Sequence, residues 1–431
     1  MQKESILFFW HLLTRLVFAF ATGFLNNYAL QPDSKWLVQF GMQAAQGNFN
    51  FELERFIASP LFPAVVGLFK WIFKEAWQVS LVIFQLIVSA ISGVYIYKIA
   101  YLWSDREKVA WIASLLFSVF PMTLWFTHTF SQECLFQVLF IICMYYLSRS
   151  LAYGRWKDVF LSAIFFSLAY QTKSHILLFS PFVPLLYWHH FKFTYRTFLF
   201  TTAFASIALF FSLPYGLYHY RLHGVYVLSS NGGPYQFYLG NTWAGYKTVV
   251  EVPDKNSEDY LRIKDITVHA GYFNGSQRYY DSLLSLSQKE KQSLFLQEAI
   301  YWIMRHPTEF IKLKCYNLFL FLFPGVSWRH YSFGAWLLSF LISLPIYALA
   351  YWTMLKEISN GNKKIMPAFY VFVTMLIFSV VWYVQNRFRT ITIEPIYVIL
   401  AAFPISHWLE NYRQKWTGFL KFPFRALLVQ M

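Results

Sequence analysis

Few residues in this chain are placed to do ionic chemistry. At the ends of its apolar runs stand Asp33, Glu133, Lys173, His175, Arg387, Arg389 and Glu394. An ionisable side chain at membrane depth is costly to hold, so each is first a candidate for function. Together they have a chemical logic. A carboxylate within hydrogen-bond reach can take the proton of an attacking hydroxyl. A group of cations can stabilise the charge of a departing anion. Asp33 is the natural base, and Lys173, Arg387, Arg389 and Arg55 are the natural cations, with a divalent ion as a further source of positive charge. The bland alternative for each is a snorkelling side chain or a structural ion pair. A retaining hydrolase would need two carboxylates about 5 Å apart, and no spacing here argues for such a pair.

The elements that must position these residues are apolar runs. Of 431 residues, 57% are hydrophobic, 22% aromatic and 13% charged, against about 25% charged in a soluble domain. Runs long enough to cross a hydrocarbon core of ~30 Å mark a polytopic membrane protein. Lipid offers backbone groups no partner, so the spans must be helical. The expected fold is an all-α polytopic membrane protein of about 10–11 transmembrane helices, with amphipathic helices in the first outer loop and one extramembrane insertion. Three regions follow: a transmembrane module over 1–217 with its first outer loop at 26–62, an outer subdomain over 218–306, and a second transmembrane module over 307–431.

Within that plan Ile6–Leu25 is a full-length first run without a signal-peptide cleavage pattern. Pro63–Phe73 is too short to span, Val109–Phe126 reads as one span, and Phe310–Phe323 is expected not to cross fully. Arg15, inside the first run, is expected to face the bundle or snorkel. The basic loops Arg149–Lys157 and Lys192–Arg196 belong on the cytoplasmic side. That parity puts the first long loop, His128–Glu133 and Gln171–Lys173 together on the outer face. A net charge of +15 suits anionic lipid headgroups, with no nucleic acid expected. Cys134, Cys143 and Cys315 have neither disulfide nor metal spacing. Gly232-Gly233-Pro234-Tyr235 neither follows a strand nor opens a helix in this reading, which excludes a nucleotide cradle. His306, in Arg305-His306-Pro307, is expected to cap or break a helix.

The order of short motifs carries more than any one of them. Pro32-Asp33-Ser34 precedes a helix ending in Gly47, followed by Ser59-Pro60-Leu61-Phe62-Pro63. Then come Ser131-Gln132-Glu133-Cys134-Leu135-Phe136 and Leu168-Ala169-Tyr170-Gln171-Thr172-Lys173. Gly233-Pro234-Tyr235-Gln236-Phe237-Tyr238-Leu239-Gly240-Asn241, Arg305-His306-Pro307 and Asn386-Arg387-Phe388-Arg389-Thr390 complete the series. The whole resembles the GT-C superfamily of integral-membrane glycosyltransferases, in its branch of lipid A aminoarabinose transferases and protein O-mannosyltransferases. The resemblance implies an inverting transfer of a sugar from a polyprenyl-phosphate donor to an acceptor hydroxyl on the extracytoplasmic face. It implies a catalytic Asp in the first outer loop, where Asp33 stands, and a second acid at Glu133. Where relatives carry another acid beside the first, this chain has Ser34. Lys173, Arg387, Arg389 and Arg55 are then expected on the donor phosphate, and Tyr235, Asn241 and His175 on the substrates. Glu54 is the candidate ligand for a divalent metal ion. The acceptor is a lipid, glycan or protein, and the setting a bacterial inner membrane with the site facing the periplasm.

Two rival classes make different demands. A transporter or flippase is expected to show two similar halves with helices broken near midplane. Here the first outer loop and the insertion have no counterparts, and the charges gather at one face. A non-catalytic scaffold would tolerate loss of Asp33.

Overall fold

The computed structural model describes residues 2–22, 34–251, 285–326, 332–382 and 386–428. Asp33 lies outside the described residues. Helices follow one another as α1 (Gln2–Ala21), α2 (Ser34–Ala45), α3 (Leu61–Phe73), α4 (Trp77–Ser104), α5 (Glu107–Val119) and α6 (Pro121–Leu124). Then come α7 (Gln132–Tyr153), α8 (Trp156–Thr172), α9 (Phe182–Phe191), α10 (Tyr195–His223), α11 (Gly233–Gly240) and α12 (Trp243–Tyr246). The chain continues through α13 (Gln288–Arg305), α14 (Pro307–Leu322), α15 (Phe333–Ser359), α16 (Met366–Val381), α17 (Asn386–Thr392) and α18 (Glu394–Leu428). Among the described residues the only β pairing is an isolated antiparallel bridge between Glu52 and Ile57. The protein is an all-α polytopic membrane protein.

α1 shows how a helix is built for lipid. Ile6, Phe9, Leu13, Val17 and Phe20 are exposed, while Leu7, His11, Arg15 and Ala19 are buried at every fourth position. Residues four apart share a helix face, so the polar stripe faces the bundle and the apolar one faces outward. Arg15 donates from Nε to Ser89 Oγ of α4 at 2.8 Å, and its Nη1 lies 2.9 Å from His11 Nδ1. The His11 ring meets Ser114 Oγ of α5 at 2.8 Å and lies directly on Gly93. A Cβ at Gly93 would sit 2.2 Å from that ring, so the α1–α4 contact needs glycine there.

Six stretches are long and apolar enough to cross a membrane among the described residues: α1, Leu61–Ser104, α7, α10, α15 and Lys363–Val381. Several runs expected to span are shorter or broken. Val109–Phe126 is divided because Phe120 precedes Pro121 and takes an extended conformation (φ −73°, ψ 110°). A residue before proline is pushed out of the helical region. Leu61–Ser104 is two helices, in line with the short run expected at Pro63–Phe73. Phe69 of α3 packs against Phe84 of α4 with ring centroids 5.2 Å apart, whereas fifteen residues of one helix would separate them by about 22 Å. The chain turns at Lys74, which has a φ of 48°. Phe310–Phe323 covers the greater part of α14, a helix of 16 residues that ends at Leu322 and is not among the six.

α7 is the centre of the bundle, with 16 of its 22 residues buried. α10 is peripheral, burying five of 29. α7 and α8 form a tight hairpin, turned by Gly154 at φ 61°. The hairpin brings the start of α7 and the end of α8 to the same level. Gly232-Gly233-Pro234 does open a helix, α11, contrary to the sequence expectation. Pro234 falls in its first turn, where a missing N–H costs nothing. His306 ends α13 and precedes Pro307 at the start of α14, a break between two helices.

Candidate active site

Glu133 sits in the first turn of α7, where the helix dipole favours a negative charge. Lys173 follows the last residue of α8 in an extended conformation, at the end that favours a cation. The hairpin therefore presents opposite charges side by side. Lys173 Nζ donates to Glu133 Oε1 at 2.8 Å, and both side chains are 3% exposed. Arg387, from α17, brings its Nη1 to 3.6 Å from the same carboxylate oxygen and is 30% exposed. The opening of the site is thus on the arginine side.

Aromatic rings wall the ions. Lys173 Nζ lies 4.3 Å from the centroid of Phe388, and the Arg387 guanidinium carbon 5.6 Å from it. His175 is boxed by Phe136, Phe378 and Phe388, with centroids 4.9, 5.4 and 4.9 Å away. Its Nε2 meets Thr392 Oγ1 at 3.2 Å, while Nδ1 is buried without a hydrogen-bond partner. The loop before α7 is fastened from α4, where Gln85 Nε2 donates to Thr129 O at 2.9 Å. Two cations, one carboxylate and one imidazole therefore gather among aromatic rings, where fixed charges act more strongly than in water.

Other residues singled out from the sequence lie elsewhere. Arg389 is buried away from this cluster. Its Nε meets Glu394 Oε1 at 3.3 Å, and its Nη1 donates to Leu320 O and Phe323 O at 2.9 and 2.6 Å. Tyr347 donates to the same Glu394 oxygen at 2.6 Å. Arg389 closes the end of α14 and pairs with Glu394, whereas Arg387 pairs with Glu133. The reason is phase: residues two apart on a helix point to different sides. Asn241, expected on substrate, donates its amide to Phe237 O and Val381 O at 2.7 and 2.9 Å and so ties α11 to the end of α16.

Arg55 and Tyr235 meet each other, with Arg55 Nη1 donating to the Tyr235 hydroxyl at 2.8 Å. Tyr235 in turn packs on Phe295 of α13, which joins the first outer loop to the later insertion. Glu54 is exposed, and among the described residues no three His, Cys, Asp or Glu side chains converge. Phe388 was missed as a site residue. Its signal lay in the motif itself, since an aromatic flanked by two arginines is placed to carry a cation on its face.

Comparison with known proteins bears on this geometry. A family model for dolichyl-phosphate-mannose-protein mannosyltransferase matches residues 58–218. No curated protein matches the chain in sequence. The oligosaccharyltransferase AglB of Archaeoglobus fulgidus, solved with an inhibitory peptide and a dolichol-phosphate, shares the fold with a TM-score of 0.53 at 12% identity. The likeness covers 97% of this chain and 54% of that one. The apo form of the oligosaccharyltransferase from the same organism gives a TM-score of 0.57 at 11% identity, over 99% and 54%. The chain spans about half the length of these structures. The fold of these structures thus extends along nearly the whole chain, and the mannosyltransferase model matches residues 58–218 of it.

Proposed function

We propose that this protein transfers a sugar from a polyprenyl-phosphate donor to an acceptor hydroxyl, with inversion at the anomeric carbon. The observation that carries the reading is the pair of cations, Lys173 and Arg387, gathered on Glu133 beside the Phe388 ring. A sugar linked to a lipid phosphate leaves as an anion and needs no acid to protonate it. The acceptor oxygen bonds to the anomeric carbon as the bond from that carbon to the phosphate oxygen breaks. The electron pair stays on the phosphate, which Lys173 and Arg387 stabilise. The acceptor proton passes to a carboxylate. Asp33, next to the buried Ser34 that opens α2, is the nominated base, and Glu133 holds the two cations in place. His175 and Tyr235 remain candidates for sugar or acceptor contacts.

A neighbour of the same fold solved with dolichol-phosphate supports a lipid-phosphate donor. The acceptor is a lipid, glycan or protein. Basic loops at the other end of α7 support an extracytoplasmic position for this site, periplasmic if the membrane is a bacterial inner membrane. A transporter reading draws no support from either comparison.

Transfer of radiolabelled sugar from a polyprenyl-phosphate pool in membranes tests the reading. Arg387→Ala should lower the rate by about 100–1000-fold, as for loss of one charge-stabilising group, with expression unchanged. Transfer by Arg387→Ala at the wild-type rate would overturn the assignment.

A further inference from the structure

At the far end of α7 the structure holds a second ionic site. Tyr153 ends the helix twenty residues after Glu133, a rise of about 30 Å, so the two ends stand at opposite faces of a hydrocarbon core. There the starts of α1 and α5 and the ends of α4 and α7 enclose a cleft of about 600 Å³. Its ionic lining is Lys3, Lys98, Arg149 and Arg155 against Glu4 and Glu107, interleaved with four tyrosines. We propose that this cleft binds the phosphate headgroup of a membrane lipid.

The charges are arranged in two tiers. Arg149 is the fixed one. Its Nε lies 3.4 Å from Asp158, which is 2% exposed, and its guanidinium carbon lies 5.5 Å from the Tyr145 ring. The lysines are loosely held. Lys98 meets Glu4 at 3.1 Å and Lys3 meets Glu107, both acids being about half exposed. Such exposed pairs exchange readily with an arriving anion. Arg155 completes the set, packing its guanidinium over Tyr153 at 5.2 Å. Among the described residues no carboxylate lies within ion-pair reach of Arg155. The cleft thus offers one anchored arginine, one uncompensated arginine and two exchangeable lysines.

A lipid fits better than a soluble phosphate because of what flanks the opening. Trp156 and Phe160, immediately after Arg155 and one turn on, are exposed apolar side chains. Tyr101 and Tyr153 are exposed aromatics at the same rim, the residue type that settles at headgroup level. A phosphate ester entering the cleft can therefore leave its chain along the start of α8. Basic pockets between helices at a membrane face bind anionic headgroups in this way.

Native mass spectrometry of the full-length protein, titrated with dioleoyl phosphatidic acid, dioleoyl phosphatidylcholine or glycerol phosphate, tests the proposal. Phosphatidic acid should bind, and Arg155→Glu should weaken it by about tenfold or more, as expected when an attraction to phosphate becomes a repulsion. Arg155→Lys, which keeps the charge, should restore most of the binding. Sugar transfer should be unchanged in Arg155→Lys, so failure here is distinguishable from failure of the activity proposed above. Equal binding of phosphatidylcholine, or unaltered binding by Arg155→Glu, would overturn the site. Glycerol phosphate binding as tightly as the lipid would reassign it to a soluble phosphate ester and overturn the lipid reading.

Discussion

The two ends of α7 carry nearly the same ingredients and use them differently. At the Glu133 end, Lys173 and the carboxylate are sealed among phenyl rings and Arg387 reaches in from one side. At the Tyr153 end, lysines and glutamates meet in the open, with tyrosines in place of phenylalanines. The chemistry of the side chains does not separate the two; burial does. In the closed pocket each charge depends on its partners, because no water can replace them. In the open cleft water and salt compete for every pair. The first arrangement suits a charge that develops during a reaction, and the second suits an anion that comes and goes.

This contrast can be broken by matched substitutions. The largest effect should come from Glu133→Leu, which leaves Lys173 buried without its carboxylate and should cost about 3–5 kcal/mol of stability. Glu107→Leu, at the open end, should leave thermal unfolding in detergent unchanged. Equal melting shifts for the two would show that burial is not what distinguishes the ends. A smaller effect tests the arginine pair two residues apart. Arg389→Lys keeps the charge but loses the fork that reaches both Glu394 and the carbonyls ending α14, at a cost of about 1–3 kcal/mol. Arg387→Lys should leave stability unaltered and show its loss in transfer rate alone. The same rank order by unfolding and by activity for both variants would contradict the division of roles. The smallest effect is ionic. Raising salt should weaken phosphatidic acid binding several-fold at the open cleft, while the melting temperature contribution of the Glu133 cluster stays constant.

What was legible in the sequence follows the same division between composition and phase. Glu133, Lys173 and Arg387 stood out because charge near the ends of apolar runs is rare and costly, and the structure does place those three together. Arg389 stood out for the same reason, but a linear motif does not show which side of a short helix each arginine takes. The helical character of the bundle was readable from its apolar runs. The end of a short run at Phe73 was readable too, whereas the break at Phe120-Pro121 was not weighed, although proline marks it. The meeting of Arg55 with Tyr235, 180 residues apart, belongs to tertiary packing that no local pattern encodes. Asp33, on which the base assignment rests, lies outside the described residues.

The inward-facing stripe of α1 has a consequence for how the protein is made. A lone helix with an arginine near its middle enters a bilayer at a cost of about 2.5–3.5 kcal/mol for that residue. The partners from other helices that reach Arg15 and His11 are Ser89, 74 residues after Arg15, and Ser114, 103 residues after His11. When α1 emerges from the ribosome neither exists. The first helix must therefore wait beside the insertion machinery, or sit strained in lipid, until α4 and α5 arrive to accept its polar face. Insertion of α1 is thereby coupled to that of α4 and α5, and a defect at Gly93 or Ser89 should appear as failed insertion before it appears as lost sugar transfer.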